Sequence, residues 1–177
     1  MATVADPVDR RASTVSMLLG ALAVACLIDA ITAAVRLIGI DGADDAVRSA
    51  ALAEGLDGAG LVASARAEAW YNGLVAVVGV LVLVWLARAT RRRAPRSRGG
   101  VCLAATALSA ALIFGAATDP GSATPTDTQP EALRLALEQL TPAWYAPTHS
   151  LLAGVAVIGV IVAAIAVTRV SAIDFYQ

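Results

Sequence analysis

Residues 15–38 read VSMLLGALAVACLIDAITAAVRLI, an apolar run interrupted by only two charges, Asp29 and Arg36. A helix of about 20 residues crosses the roughly 30 Å hydrocarbon layer of a bilayer. Within that layer no water can satisfy the backbone amides, so a run of this length has to be helical. Similar runs cover residues 70–89, 100–118 and 148–170. The expectation is an all-α membrane protein, a four-transmembrane-helix bundle forming a single integral membrane domain over residues 1–177. The composition agrees: 58% of residues are hydrophobic and 15% charged, against about 25% charged in soluble domains. A net charge of −1 gives no electrostatic footprint for nucleic acid. All thirteen basic residues are arginine, which reads as GC-rich coding of an actinobacterial kind.

Arginine also sets the expected orientation. Arg10 and Arg11 precede the first run, six arginines from Arg88 to Arg98 surround the cytoplasmic loop 90–99, and Arg169 follows the fourth run. That side carries nine arginines and three acids, whereas the other side, with Arg36 at the end of the first run and the loops 39–69 and 119–147, carries four arginines and ten acids. The positive-inside rule then places both termini in the cytoplasm and the acidic loops outside a bacterial inner membrane. Ala23-Val24-Ala25-Cys26 faintly resembles a lipoprotein cleavage box, but the apolar run continues past it and is too long for a signal core. Arg91, Arg92 and Arg93 lie where anionic headgroups would attract them by about 1 kcal/mol each; the alternative is that they only fix topology.

Short amphipathic helices are expected in the outer loops. Thr128-Gln129-Pro130-Glu131 has the form of a capping box, and Leu133, Leu137 and Leu140 follow on one helical face, giving a helix over 130–140 that stops before Pro142. Asp44 is positioned to cap another helix over 45–54, broken by Gly55 and Gly58. Ala69-Trp70-Tyr71 and Ala143-Trp144-Tyr145 each precede a valine-rich run, an arrangement compatible with two tandem hairpins. Trp70, Tyr71, Trp144 and Tyr145 are the expected interface anchors, since Trp and Tyr gather at headgroup level in any case.

Candidate functional residues are few. Asp29 lies about 20 Å into the first helix, where an unpaired carboxylate costs roughly 2.5–3.5 kcal/mol. Ala21, Ala25 and Ala33 share its face, so the carboxylate should point into protein. Arg36 stands two turns further along, about 10 Å away, too far for a rigid pair. His149, the only histidine, opens the fourth helix, with Arg66, Glu68 and Asp119 at similar heights. Asp29, Arg36 and His149 thus form a candidate polar site, for an ion or for an interhelical contact. One histidine with scattered carboxylates does not make a metal site, and it excludes bis-histidine haem within the chain. Cys26 and Cys102 both fall within apolar runs, where neither a disulfide nor a metal spacing is expected. Ala107, Ala111 and Gly115 give the third helix a small-residue packing face.

No nucleophile elbow, zinc-protease signature, phosphate loop or interrupted transporter helix occurs. No catalytic residue and no cofactor is expected. The leading expectation is a non-catalytic accessory subunit packed against larger membrane-protein subunits. The alternative is an autonomous small transporter, channel or sensor built on Asp29, with His149 near the outer mouth. A membrane enzyme with an outward-facing site is the third.

Overall fold

In the computed structural model, residues 7–92, 97–117 and 130–174 are described. They form five helices: α1 (Pro7–Ala53), α2 (Gly58–Arg91), α3 (Ser97–Ala117), α4 (Glu131–Leu140) and α5 (Tyr145–Asp174). Among the described residues there is no strand. Helices α1, α2 and α5 contain stretches long and apolar enough to cross a membrane, and α3 is a shorter apolar helix. The chain is of the all-helical, multi-pass membrane type.

The first loop expected at 39–69 is not a loop. Helix α1 runs on to Ala53 and α2 begins at Gly58, leaving a turn of four residues. The reason is a periodicity that outlasts the apolar composition. Buried residues of α1 fall at Val15, Leu19, Leu22, Cys26, Asp29, Ala33, Arg36, Ile40, Ala43, Val47 and Ala51, with Ala23 buried beside Leu22 as the one addition to the series. Those of α2 fall at Gly58, Val62, Ala65, Ala69, Asn72, Ala76, Gly79, Leu83 and Leu86. Steps of four and three alternate along nearly the whole of both lists. That 3.5-residue repeat is the coiled-coil period, which keeps one face of each helix on its partner over many turns. Each glycine in a helix costs about 0.5–1 kcal/mol relative to alanine, so Gly39 and Gly42 weaken α1 without breaking it. Asp44, expected as a cap, lies inside α1 and pairs with Arg48 one turn on.

Gly55 ends α1. Its φ of +69° is the left-handed conformation that glycine adopts without strain, and Leu56 N–H donates back to the carbonyl of Ala51 at 2.9 Å. Asp57 then caps α2, its carboxylate accepting from Gly60 N–H at 3.0 Å. Gly58 presses so close to α1 that a β-carbon there would lie 2.8 Å from Arg48 Cα. At the far end, Arg88 and Arg91 occupy the last turn of α2, where the helix dipole favours cations.

Two apolar cores are stacked along this hairpin. One joins Leu19, Leu22 and Cys26 of α1 to Leu83 and Leu86 of α2, Val101 and Ala105 of α3, and Val160 and Ala163 of α5. The other joins Ile40, Ala43 and Val47 of α1 to Val62, Ala65 and Ala69 of α2 and Leu133, Leu137 and Leu140 of α4. Forty-seven residues of α1 span about 70 Å, more than twice the hydrocarbon thickness. Its length is therefore shared between the two cores. Leucines and isoleucines such as Leu81, Leu103, Leu151 and Ile158 are more than 60% exposed around the first core, as lipid-facing positions would be.

The expected amphipathic helix at 130–140 is present as α4, with Leu133, Leu137 and Leu140 buried. Its cap position is Pro130, which makes no side-chain capping bond; Thr128 and Gln129 of the expected box lie outside the described residues, as do Arg93 and Asp119. Helix α5 starts at Tyr145, earlier than expected, and includes Pro147 in its first turn, where proline is tolerated because its N–H would be unpaired.

Candidate functional site

Between the two cores the buried positions turn polar. Asp29 and Arg36 occupy seam positions of α1 at 4% and 2% exposure, and Asn72 occupies one on α2 at 6%. These three are the polar and charged side chains buried in the described residues. The side chains around them arrive at helical spacing: Asp29, Thr32 and Arg36 from α1, Glu68 and Asn72 from α2, Tyr145 and His149 from α5. Thr141, one turn before Tyr145, completes the set.

Two side-chain contacts between helices organise the cluster. Asp29 Oδ1 lies 2.8 Å from His149 Nδ1. Thr32 donates its hydroxyl to the Asp29 carbonyl at 2.8 Å and approaches Asp29 Oδ1 at 3.5 Å. Arg36 does not reach back to Asp29. Its two terminal nitrogens instead donate to both oxygens of Glu68 at 2.7 and 2.9 Å, the bidentate geometry that suits guanidinium and carboxylate. A third contact, Arg36 Nη2 to Thr141 Oγ1, is 3.4 Å. Arg36 Nε is buried and has no partner among the described residues.

Tyr145 joins the two pairs. The Arg36 guanidinium carbon stands 4.3 Å from the centre of its ring, within cation–π range. The His149 imidazole is stacked against the same ring, with centroids 5.7 Å apart and planes within 2°. Asn72 Nδ2 donates to the Tyr145 hydroxyl at 3.4 Å. Burial without a charge partner is what makes an ionisable group so costly in an apolar surround; here the Arg36 guanidinium faces the Glu68 carboxylate, and Asp29 faces the His149 ring, inside the same chain.

The three candidate residues of the polar site are thus brought to one place, without the direct Asp29–Arg36 pair that their spacing argued against. Asp29 and Arg36 belong to different pairs, and Glu68 is the partner of Arg36. Arg66 lies elsewhere, with Asp41 at 2.7 Å and Asp44 at 3.8 Å on the exposed surface of the α1–α2 hairpin. Among the four aromatic anchors, Trp70 and Trp144 are exposed at 64% and 44%. Tyr71 is half-buried and donates its hydroxyl to the Ala111 carbonyl of α3 at 3.0 Å. Tyr145 is fully buried. An aromatic with a polar tip serves a buried polar cluster as well as it serves an interface. Residues 69–71 lie within α2 whereas 143–145 lead into α5, so the two tripeptides occupy different local settings.

The small-residue face of α3 is not the one it packs on. Val101 and Ala105 are buried and Leu108 packs against the same core, whereas Ala107 is exposed and Ala111 half-buried. The side chain position of Gly115 lies outside the described residues. Valine at 101 and leucine at 108 bury more surface than alanines would, and that favours turning their face inward. The likewise small positions Ala21 and Ala25 on α1 are exposed and half-buried, while Ala33 is buried as expected. No group of three or more metal-ligating side chains converges among the described residues. A cavity of about 470 Å³ opens between α2 and α4, lined by Leu56, Asp57, Gly60, Leu61, Ser64, Leu133 and Leu137, apart from the polar cluster. Cys26 is buried and Cys102 half-buried, both as free thiols.

No protein-family model, curated protein or solved structure matches this chain. Fold and site define its class: an all-helical membrane protein with a self-paired polar cluster buried between two apolar cores.

Proposed function

We propose that the chain crosses a bacterial inner membrane four times, through α1, α2, α3 and α5, with both termini in the cytoplasm. Within it, the chain works as an autonomous small transporter, channel or sensor whose working site is the Asp29–His149 pair. The observation that carries this reading is the 2.8 Å contact between those two side chains at the centre of a buried cluster. A bundle that needs only packing is served as well or better by apolar side chains at such positions. Intramembrane ionisable groups that are kept despite their cost mark ion or substrate pathways. The side-chain exposures, 13% for His149 and 6% for Asp29, favour approach from the histidine. The arginine distribution supports the orientation, which places His149 toward the outer side.

The test is flux of protons and of monovalent cations in proteoliposomes, wild type against Asp29→Asn. Undiminished flux in the variant sinks the reading. Labelling of single cysteines placed in the α1–α2 turn and beyond Asp174 checks the orientation, which requires the two to react from opposite sides.

A specific observation favours a second reading, the accessory subunit. Ala107 lies on an exposed face of α3, and small residues there would let a helix of a larger membrane protein approach closely. Asp41 and Asp57, both exposed, would add acidic contacts outside. Recovery of stoichiometric larger subunits in a mild-detergent pull-down, weakened by Asp29→Asn, supports it over the first. In either reading the exposed Arg91 and Arg92 face anionic lipid on the cytoplasmic side.

A further inference from the structure

Resting on the reading of Asp29–His149 as the working site, we infer that its ligand is the proton, taken up on the His149 imidazole. The donor set excludes the common alternatives. A calcium or magnesium ion takes six or more oxygen ligands and zinc three or four protein or water ligands. Asp29 Oδ1 is already engaged by His149 Nδ1 and approached by the Thr32 hydroxyl. Both oxygens of Glu68 are held by Arg36. No group of three or more metal-ligating side chains converges there among the described residues. A proton needs one lone pair, and the imidazole supplies it. With Asp29 as carboxylate, Nδ1–H donates to Oδ1 and the incoming proton goes to Nε2.

The groups around His149 make that charge consequential. From α1 it faces Asp29, with Arg36 beyond the Tyr145 ring; Cys26 lies one turn from Asp29. From α2, Glu68 and Asn72 reach the same ring through Arg36 and the Tyr145 hydroxyl. Helix α3, which packs on α5, has no acidic or basic side chain among its described positions from Gly99 to Phe114. Protonation therefore places a second cation against an aromatic ring whose own surroundings already hold the Arg36 guanidinium. Tyr145 and His149 both belong to the first turns of α5, so the added charge acts on how that end of α5 seats against α1.

A single histidine makes the test direct. The full chain, carrying no histidine tag, is labelled with ¹⁵N-histidine and placed in lipid nanodiscs. Acidification across about pH 8 to 5 covers the window in which imidazole is the side chain that changes charge. The expected result is one imidazole that passes reversibly from the singly to the doubly protonated form. Sodium, potassium or calcium chloride added at fixed pH should leave its signals in place. In Asp29→Asn the Nδ1 signal should lose its carboxylate-bonded shift. A ring that stays in one form throughout, signals that move with a metal salt at fixed pH, or an Nδ1 shift untouched by Asp29→Asn each overturns the proposal. If the titration appears as expected while flux is independent of Asp29, the proton site stands and the transport or sensing reading fails.

Discussion

Replacing Glu68 by leucine should destabilise the chain more than replacing Arg36 by methionine, and the double replacement should recover most of either loss. The asymmetry follows from exposure. The Arg36 side chain is 1% exposed and Glu68 is 13% exposed. Breaking a buried ion pair by removing one partner costs about 3–5 kcal/mol, because the remaining charge stays uncompensated. In Glu68→Leu that charge is a guanidinium with Nε already unpartnered, held against Tyr145 and unable to lose its proton. The loss belongs at the upper end, about 4–5 kcal/mol. In Arg36→Met the remaining carboxylate can turn toward its exposed edge or take a proton, and the loss belongs near about 3 kcal/mol. With both charges removed, apolar residues of similar volume fill the seam and little desolvation cost remains. The coupling energy should exceed about 2 kcal/mol, above the roughly 0.6 kcal/mol average for interhelical hydrogen bonds in membranes. Reversible unfolding in mixed detergent micelles, followed by helical circular dichroism, gives the four free energies of the cycle. Losses that add within about 0.5 kcal/mol, or a larger loss in Arg36→Met than in Glu68→Leu, would refute the reasoning.

Further expectations follow from packing. Gly58→Ala puts a β-carbon 2.8 Å from Arg48 Cα and 2.9 Å from Ala51 Cβ, so it should cost about 1–3 kcal/mol by overpacking; Gly42→Ala meets nothing within 4 Å and should gain about 0.5–1 kcal/mol of helix stability, both read by the same unfolding assay. Gly55→Ala, at φ +69°, should lose about 1–2 kcal/mol from the left-handed penalty; no loss would mean that α1 ends otherwise. Leu137→Ala, at 1% exposure in the core that α4 shares with α1 and α2, should cost about 2–5 kcal/mol, and amide exchange should rise first over residues 131–140. Arg66→Ala, whose nearer acidic partner Asp41 is 69% exposed, should change stability by less than about 1 kcal/mol.

Much of the helical plan was legible because it rests on composition and length. Residues 15–38 could only be a helix in lipid, and the leucines at 133, 137 and 140 mark one face of α4. What the composition hid was continuity. From Ile40 to Ala51 the mean hydropathy falls as Asp41, Asp44, Asp45 and Arg48 enter, and the stretch reads as a loop. Yet Ile40, Ala43, Val47 and Ala51 keep the heptad of Leu19, Leu22 and Cys26, and that period extends α1. The same period places Asp29 and Arg36 on the packing seam, where Arg36 needs an acid from a neighbouring helix. Which acid it takes depends on how α2 sits along α1, a matter of packing. Tyr145 is buried while Trp144 beside it is exposed, and the two differ only in which way the start of α5 turns them.

The position of the polar cluster follows from what lies on either side of it. The core of Leu19, Leu83 and Val160 is surrounded by exposed leucine and isoleucine, a surface stable only in lipid. The core of Ile40, Val62 and Leu137 is surrounded by Asp41, Asp44, Arg48, Arg66 and Glu138, a surface stable only in water. Helix α1 passes through both without a break, so somewhere along it the solvent on its outer face must change. A charge placed deep in the first core would bear the full cost of burial in hydrocarbon, and one in the second would be free to turn to water. At the junction a carboxylate or guanidinium can be held inside the bundle, partnered across helices, and still lie within reach of the aqueous side through His149 and Glu68. Among the described residues, this is the level where buried charged side chains have partners, Glu68 and His149, that each keep 13% of their side-chain surface exposed. Moving the pair one heptad toward Cys26, by exchanging Asp29 with Leu22 and His149 with Ala156, should therefore leave a folded chain only if the carboxyl stays protonated, and should abolish its response to external pH.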